Sequence, residues 1–346
     1  MRAASVLLIV LALAGRGSFA RTGGDPINEP GLAGRTDILY FLSFDEESRT
    51  MGWCRKGRGY GWTNAKENVL FGTGALEVSH TAGTHYPMEV HPAIDEVDKA
   101  HVRWYRKWEE GYDFTQHKMP GVYARAKGRR SGGGAGIKPT GRDKYSCKLY
   151  IDFRGMPHFY SYKPDQPGRY GWSPGVNKGS VKKMETGRWY CYEMMIKANN
   201  PPAKDGELKM WLDGRLVAHY DGLHYRDVPD LKINQFTYSA YVGGTWTTKR
   251  AQKLWDDQIV VARNYIGPIQ RERPKPKATG PVVIKPVITA EEAKAAAGEK
   301  EAGRLFQMAR RAERMGQRPV AASLYRQIIE KFPETQAAKK AKEKLE

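Results

Sequence analysis

The sequence predicts a sandwich or barrel of short β-strands followed by a small helical module. Three observations carry that expectation. Across residues 37–268, short β-type segments alternate with Gly, Pro, Asn and Asp, and no long helical pattern separates them. Forty per cent of the 346 residues are apolar, enough to fill a core. After Pro268 the composition turns Pro-rich, and then to Ala, Glu, Lys and Arg with apolar residues at helical spacing. At about 150 residues per domain the length fits two domains, and a sandwich of roughly 200–250 residues is common as one unit.

Taken in order, Arg2 and the apolar run 6–14 precede Ser18-Phe19-Ala20, a small-x-small pattern. Residues 1–20 are therefore expected to be a secretory signal peptide, cleaved after Ala20. The run is far too short to span a bilayer, and no later segment is apolar enough to do so. Residues 21–36 are Gly/Pro-rich and read as a flexible lead-in. Strands are expected at 38–44, 101–108, 146–153, 158–162, 189–197, 207–212, 216–220 and 258–263. Between the sixth and seventh, Asp213-Gly214 supplies the two positive φ angles of a type I′ hairpin turn. Residues 269–297 form a Pro-rich linker and helix lead-in, and 298–346 a helical tail. From Ala290 the chain reads as helical, with 303–315 and 319–332 as an antiparallel helix pair. Ala309, Gly316, Ala321, Ala322, Tyr325 and Pro333 sit much where a tetratricopeptide-type repeat has them, but only about one repeat plus a following helix is present. The tail reads as a partner-binding or self-association module, with a plain surface hairpin as the rival.

Lys+Arg number 57 against 38 Asp+Glu, a net charge of +19. Such a field favours polyanionic partners. Export argues against nucleic acid and leaves an acidic polysaccharide as the expected partner, with the tail open to a protein partner. The protein is expected to act outside the cell or in the envelope. Cys54, Cys147 and Cys191 allow at most one internal disulfide. There is no CxxC, HExxH or Cys/His cluster, so neither metal nor cofactor is expected. The Gly-rich stretch 131–136 lacks the Gly-Lys-Ser/Thr of a phosphate loop and reads as a cleft-rim loop, with Arg129 and Arg130 touching substrate. Asp256-Asp257 offers too few oxygens for calcium, so strand hydrogen bonding is the expected role.

The informative stretch is 145–153. Alternation puts Ser146, Lys148, Tyr150 and Asp152 on one side of a strand and Cys147, Leu149, Ile151 and Phe153 on the other. One face is dry and one wet. The next segment carries His158, Tyr160 and Tyr162 on one side. In an antiparallel pair whose partner numbers sum to an even value, both tyrosines join Ser146 and Lys148; a one-residue slip buries them. On the 101–108 strand, Trp104 and Trp108 read as core, and Arg103 and Tyr105 as substrate-side candidates.

The run Lys118-Met119-Pro120-Gly121, then Ser146-x-Lys148, then Tyr160-x-Tyr162, resembles polysaccharide lyase family 14, the alginate and glucuronate lyases. The tyrosines lie 14 and 16 residues beyond the serine, as in that pattern. Gly187-Arg188-Trp189, Asp205-Gly206-Glu207, Trp211-Leu212-Asp213-Gly214, Gly222-Leu223-His224-Tyr225-Arg226 and Gly243-Gly244 extend the likeness across 101–267. The resemblance implies a concanavalin-A-like β-jelly roll with its cleft on the concave sheet. It also implies that Lys118, Ser146, Lys148, Tyr160 and Tyr162 are active-site residues, and that position 148 would ordinarily be Arg.

Those residue types suit uronate β-elimination, which removes the C5 proton beside a carboxylate and expels the C4 oxygen. Lys118 and Lys148 would offset the carboxylate charge. Tyr160 or Tyr162 would accept the C5 proton and protonate the leaving oxygen, with the lysines lowering the phenol pKa from its ordinary value of about 10. Ser146, His158 and Tyr150 would orient substrate, with a share in the proton chemistry as the alternative for His158. The same groups would also serve a non-catalytic carbohydrate-binding protein, and the tail an envelope scaffold. An intact Lys118 beside both tyrosines favours the enzyme.

Overall fold

The computed structural model describes residues 23–54, 58–87, 89–128, 136–269 and 290–345. The expected signal peptide, most of the Pro-rich linker, and Arg129 and Arg130 lie outside the described residues. Two compact units divide the chain, one ending at Arg273 and the other beginning at Pro274.

The first unit opens with β1 (Gly23–Gly24), β2 (Ile38–Leu42), the short helix α1 (Glu47–Trp53), β3 (Tyr60–Thr63) and β4 (Ala75–His80). Then come β5 (Ala93–Val97), β6 (Lys99–Trp108), β7 (His117–Arg125), β8 (Lys144–Ile151) and β9 (Pro157–Tyr162). It closes with β10 (Trp189–Lys197), β11 (Gly206–Leu212), β12 (Arg215–Leu223), β13 (Ile233–Thr237) and β14 (Gln252–Ala262). The larger sheet runs β1-β2-β14-β6-β10-β11-β12, with β4 also on β14 and β3 on β4. The smaller runs β5-β13-β7-β8-β9. Every pairing is antiparallel except β1 with β2. This is a two-sheet sandwich, one of the two outcomes the run of short strands predicts, and of the jelly-roll kind that the family resemblance implies.

The core lies between the sheets. Trp104, Trp108, Met194, Met210 and Leu254 from the larger sheet meet Val122, Cys147, Leu149, Ile151, Phe159 and Phe236 from the smaller, all fully buried. Leu149 and its neighbours fill that face because their strand alternates strictly, every second side chain being apolar. Asp213 and Gly214 take φ of 50° and 78°, the type I′ turn that joins β11 to β12.

One charged pair sits inside this dry layer. Arg106 and Asp256 are opposite partners on β6 and β14, both fully buried. Arg106 donates twice to the carboxylate, from Nε and Nη2, each at 2.7 Å. Nη2 also reaches the Ser239 carbonyl at 3.3 Å, and the Tyr238 hydroxyl donates to Asp256. Burial opposes the charge on Arg106, but the carboxylate outweighs it and raises the Arg106 pKa above the usual value. Asp257 accepts the amides of Leu70 and Phe71, so this acidic pair does strand and loop hydrogen bonding.

Several expectations need correction. The strand expected at 146–153 ends at Ile151, and Phe153 leaves the core with 66% of its surface exposed. The lead-in is packed where it is described: Glu29 and Leu32 are buried, and Glu29 pairs with Arg103. All three cysteines are free and buried, within the expected limit of at most one disulfide. In the second unit, α2 (Ala290–Arg314) begins where the helical composition does, and α3 (Arg318–Lys331) and the expected following helix, α4 (Gln336–Lys342), complete it. Ala302, Ala309, Ala321, Tyr325, Ile328, Ala338 and Ala341 form its core, small residues letting the helices approach closely. Thr335 caps α4 by accepting the Ala338 amide at 3.2 Å. Among the described residues no helix is long and apolar enough to cross a membrane.

Replacing Asp256 by Ala strands the Arg106 charge between the sheets. The sandwich is expected to lose about 3–5 kcal/mol, read as a lower midpoint in urea unfolding.

Candidate active site on the five-stranded sheet

The face of the smaller sheet that points away from the core carries the polar aromatics. In the β8–β9 pair, Ser146 opposes Tyr162, Lys148 opposes Tyr160 and Tyr150 opposes His158. Partner numbers sum to an even value, so both tyrosines share the face of Lys148 and leave Cys147, Leu149 and Ile151 to the core. The register follows the hydrophobic pattern, since a one-residue slip would either bury the two phenols or turn Cys147, Leu149 and Ile151 out of the core.

Lys118 reaches this face by a different device. It opposes Tyr150, whereas Tyr123, five residues later on β7, opposes Ser146. Residues five apart on a regular strand face opposite sides. A bulge between Lys118 and Gly121 inserts the extra residue that turns both to the same side. Pro120 sits in that irregular stretch, where its missing N–H is tolerated. Gly121 opposes Lys148 at close range: a Cβ there would stand 2.2 Å from the Cys147 carbonyl oxygen.

The cations are held differently. Lys118 Nζ lies 4.5 Å above the Tyr160 ring centre and 5.7 Å from that of Tyr241. Burial first, and the neighbouring Lys148 charge second, lower its pKa to about 8. Lys148 is buried and ion-paired with Glu89, its Nζ also 5.0 Å from the Tyr123 ring centre. Burial pulls the Lys148 pKa down, but Glu89 and Tyr123 outweigh it and leave it raised. Glu89 in turn accepts from Ser239 Oγ at 3.1 Å and lies 3.5 Å from His91 Nε2. For Glu89, burial acts upward, but Lys148 and the other nearby cations hold its pKa below the usual range.

The phenols form a pair. The Tyr160 and Tyr162 hydroxyls are 3.3 Å apart, and the Gly136 amide donates to the Tyr162 oxygen at 3.1 Å. Burial, and then the Tyr162 hydroxyl, raise the Tyr160 pKa, so this phenol holds its proton at neutral pH. That corrects the expectation that the lysines would lower it: Lys118 lies over the ring face and Lys148 is spent on Glu89. Tyr150 is half-buried and pushed up to about 12, by burial and then by Asp152. His158 Nε2 is 3.2 Å from Asp152. Asp152 also takes the amides of Arg154 and Met156 at 2.9 Å each. It is a turn residue, not a member of the wet face.

Of the residues expected from sequence, Lys118, Ser146, Lys148, Tyr150, His158, Tyr160 and Tyr162 are brought together. Arg103 and Tyr105 are not. They lie on β6 of the other sheet, Arg103 buried against Glu29 and Tyr105 accepting the Ile269 amide at 2.7 Å. Their outward alternation was read correctly, but it points under the lead-in segment and not into a cleft. Sequence reasoning missed Glu89, His91, Tyr123, Ser239 and Tyr241. Tyr123 was recoverable once β7 was paired with β8. Glu89 lies 59 residues from Lys148 with no local motif to flag it. Among the described residues no group of acidic, Cys and His side chains is placed to hold a metal.

The family model described as Polysaccharide lyase 14 matches residues 66–258. Among solved structures, a marine PL-14 alginate lyase from Aplysia kurodai is 16% identical with a TM-score of 0.52, covering 66% of this chain and 99% of that one. The alginate lyase vAL-1 from Chlorella virus is likewise 16% identical at a TM-score of 0.52, covering 66% of this chain and 100% of its own. A mutant of the alginate lyase Aly36B in complex with alginate trisaccharide gives 16% and 0.51, covering 66% and 99%. At these identities the likeness is one of fold. No curated protein sequence matches the chain.

Gly121→Ala would drive a methyl group into the β8 backbone. The variant is expected to lose about 1–3 kcal/mol or more and to disturb Lys148 on the paired strand, read by thermal unfolding beside activity.

Proposed function

The chain belongs to the polysaccharide lyase 14 family, and from that premise we propose that it is an exported lyase that cleaves a uronate-containing polysaccharide by β-elimination. The observation that carries this reading is the placement of Lys118 over Tyr160, with the Tyr160 and Tyr162 hydroxyls in mutual contact and Lys148 opposite. Export rests on the signal-like N-terminus.

Removing the C5 proton builds negative charge beside a carboxylate that is already negative. A fixed cation aimed at that carboxylate stabilises the transition state more than the ground state. Lys118 supplies it, with the Lys148–Glu89 pair behind. The two phenols divide the proton work by their surroundings. Tyr160, whose pKa is raised, keeps its proton and delivers it to the C4 leaving oxygen. Tyr162 takes the C5 proton on an oxygen that also accepts the Gly136 amide, and passes its own hydroxyl proton across the 3.3 Å contact to Tyr160 as Tyr160 gives its proton to the leaving oxygen, so each phenol ends as it began. Ser146, Tyr150 and His158 line the face on which the polymer lies.

Tyr160→Phe and Tyr162→Phe each keep the ring and remove one hydroxyl. Turnover on a uronate polymer, followed by the ultraviolet absorbance of the unsaturated product, is expected to fall by roughly 10²–10⁴, with little change in polymer affinity. A folded wild type that forms no unsaturated product from alginate, glucuronan or other uronate polymers, yet binds them, would make the protein a lectin.

The pH profile has a defined sign. Lys118 is charged below its pKa of about 8 and neutral above it, so kcat/KM should fall as pH rises through that value. In Lys118→Arg, whose guanidinium stays charged, the alkaline fall should move upward, whatever is lost in rate.

A further inference from the structure

Two lysines stand at the site, and one of them is already balanced. Lys148 is 4% exposed, and its ammonium is paired with Glu89, whose side chain is 17% exposed. Glu89 is itself fixed in place, accepting from Ser239 Oγ and facing His91. Burial lowers the His91 pKa, so that ring adds no charge at neutral pH. Lys118 has no ion pair among the described residues, only the rings of Tyr160 and Tyr241. Arg125, the next cation along β7, is turned to Gln235 and to the Tyr123 ring. Of the two lysines at the phenols, Lys118 is therefore the one left unpaired for an incoming carboxylate. A single carboxylate on the reacting sugar meets that charge; a second anionic group finds no unpaired lysine beside it, and an unmatched anion taken out of water is costly.

We infer that Glu89 is a specificity-determining residue: by neutralising Lys148 it sets the site to take a reacting sugar with one negative charge and to reject one that also bears sulfate. The inference deepens the lyase reading and rests on it. Lys148 suits this arrangement, because a compact ammonium can be satisfied by one carboxylate, whereas a guanidinium fork would keep donors free for a second anion.

The test pairs the uronate polymer that wild type cleaves best with the same polymer chemically O-sulfated. Wild type, Glu89→Gln and Glu89→Asp are compared by kcat/KM on both. Gln keeps the shape and the acceptor for Ser239 and Lys148 but removes the charge, so the preference for unsulfated polymer should shrink by roughly tenfold or more. Asp keeps the charge and should restore it. A folded Gln variant that loses rate equally on both polymers, or keeps the wild-type ratio, overturns the inference, since a merely structural role would not discriminate. Should wild type yield no unsaturated product at all, the lyase reading fails, and titration calorimetry with the same two polymers decides this one: charge selectivity in wild type that Gln abolishes supports it, and its absence overturns it.

Discussion

The Arg106–Asp256 pair is the constraint on which the functional face depends. A bidentate ion pair sealed between two apolar sheets gains little net stability over a well-packed hydrophobic pair, but it is intolerant of displacement. Two further hydrogen bonds run from the pair to one segment. Arg106 takes the Ser239 carbonyl and Asp256 the Tyr238 hydroxyl, which pins the chain just after β13. From that pinned segment, the Ser239 hydroxyl turns the other way to Glu89, and the Tyr241 carbonyl accepts the Lys118 amide at 2.9 Å. Both lysines of the site are thus referred back to one charge pair in the core. Rigidity of this kind suits a reaction whose catalysis is mostly electrostatic placement.

The second constraint is geometric. A regular β7 would present Lys118 and Tyr123 to opposite faces, leaving either the cation over Tyr160 or the ring beside Lys148, but not both. The bulge at Met119-Pro120 settles that conflict, and Gly121 lets β8 come close enough for Lys148 to sit at the same level. The run Lys-Met-Pro-Gly is therefore a structural device that serves the proposed site: Met119 goes fully into the core, Pro120 gives up a ladder bond, Gly121 gives up a side chain, and Lys118 gains its direction.

What the sequence made legible follows the same physics. The dry face of β8 was readable because Cys147, Leu149 and Ile151 alternate with polar residues, and the even register followed from it. The Asp213-Gly214 hairpin was readable because its turn type restricts residue choice. Phe153 was misread because alternation was carried past the point where Asp152 begins to gather turn amides. Arg103 and Tyr105 were misplaced because alternation gives a face and never says which sheet owns it; only the pairing of β6 with β10 and β14 decides that. Glu89 and Ser239 escaped altogether. They come from opposite ends of the smaller sheet's sequence and meet through a tertiary hydrogen bond, for which no local periodicity exists.

Chemistry also separates the imidazole from the phenols. His158 shares the polar face and would, on residue type alone, be the natural proton carrier near neutral pH. Its Nε2, however, is committed to Asp152, an acceptor built into the β8–β9 turn, and its ring packs 5.8 Å from that of Tyr150. Lys118 stands on the other side, over Tyr160, and the hydroxyl contact runs from Tyr160 to Tyr162 and on to the Gly136 amide. A proton lost by substrate at this point meets two coupled phenols beside a cation, not a histidine anchored at the turn. In the proposed reaction this division assigns proton transfer to the Tyr160–Tyr162 pair and leaves His158 to shape the surface along which the polymer would lie.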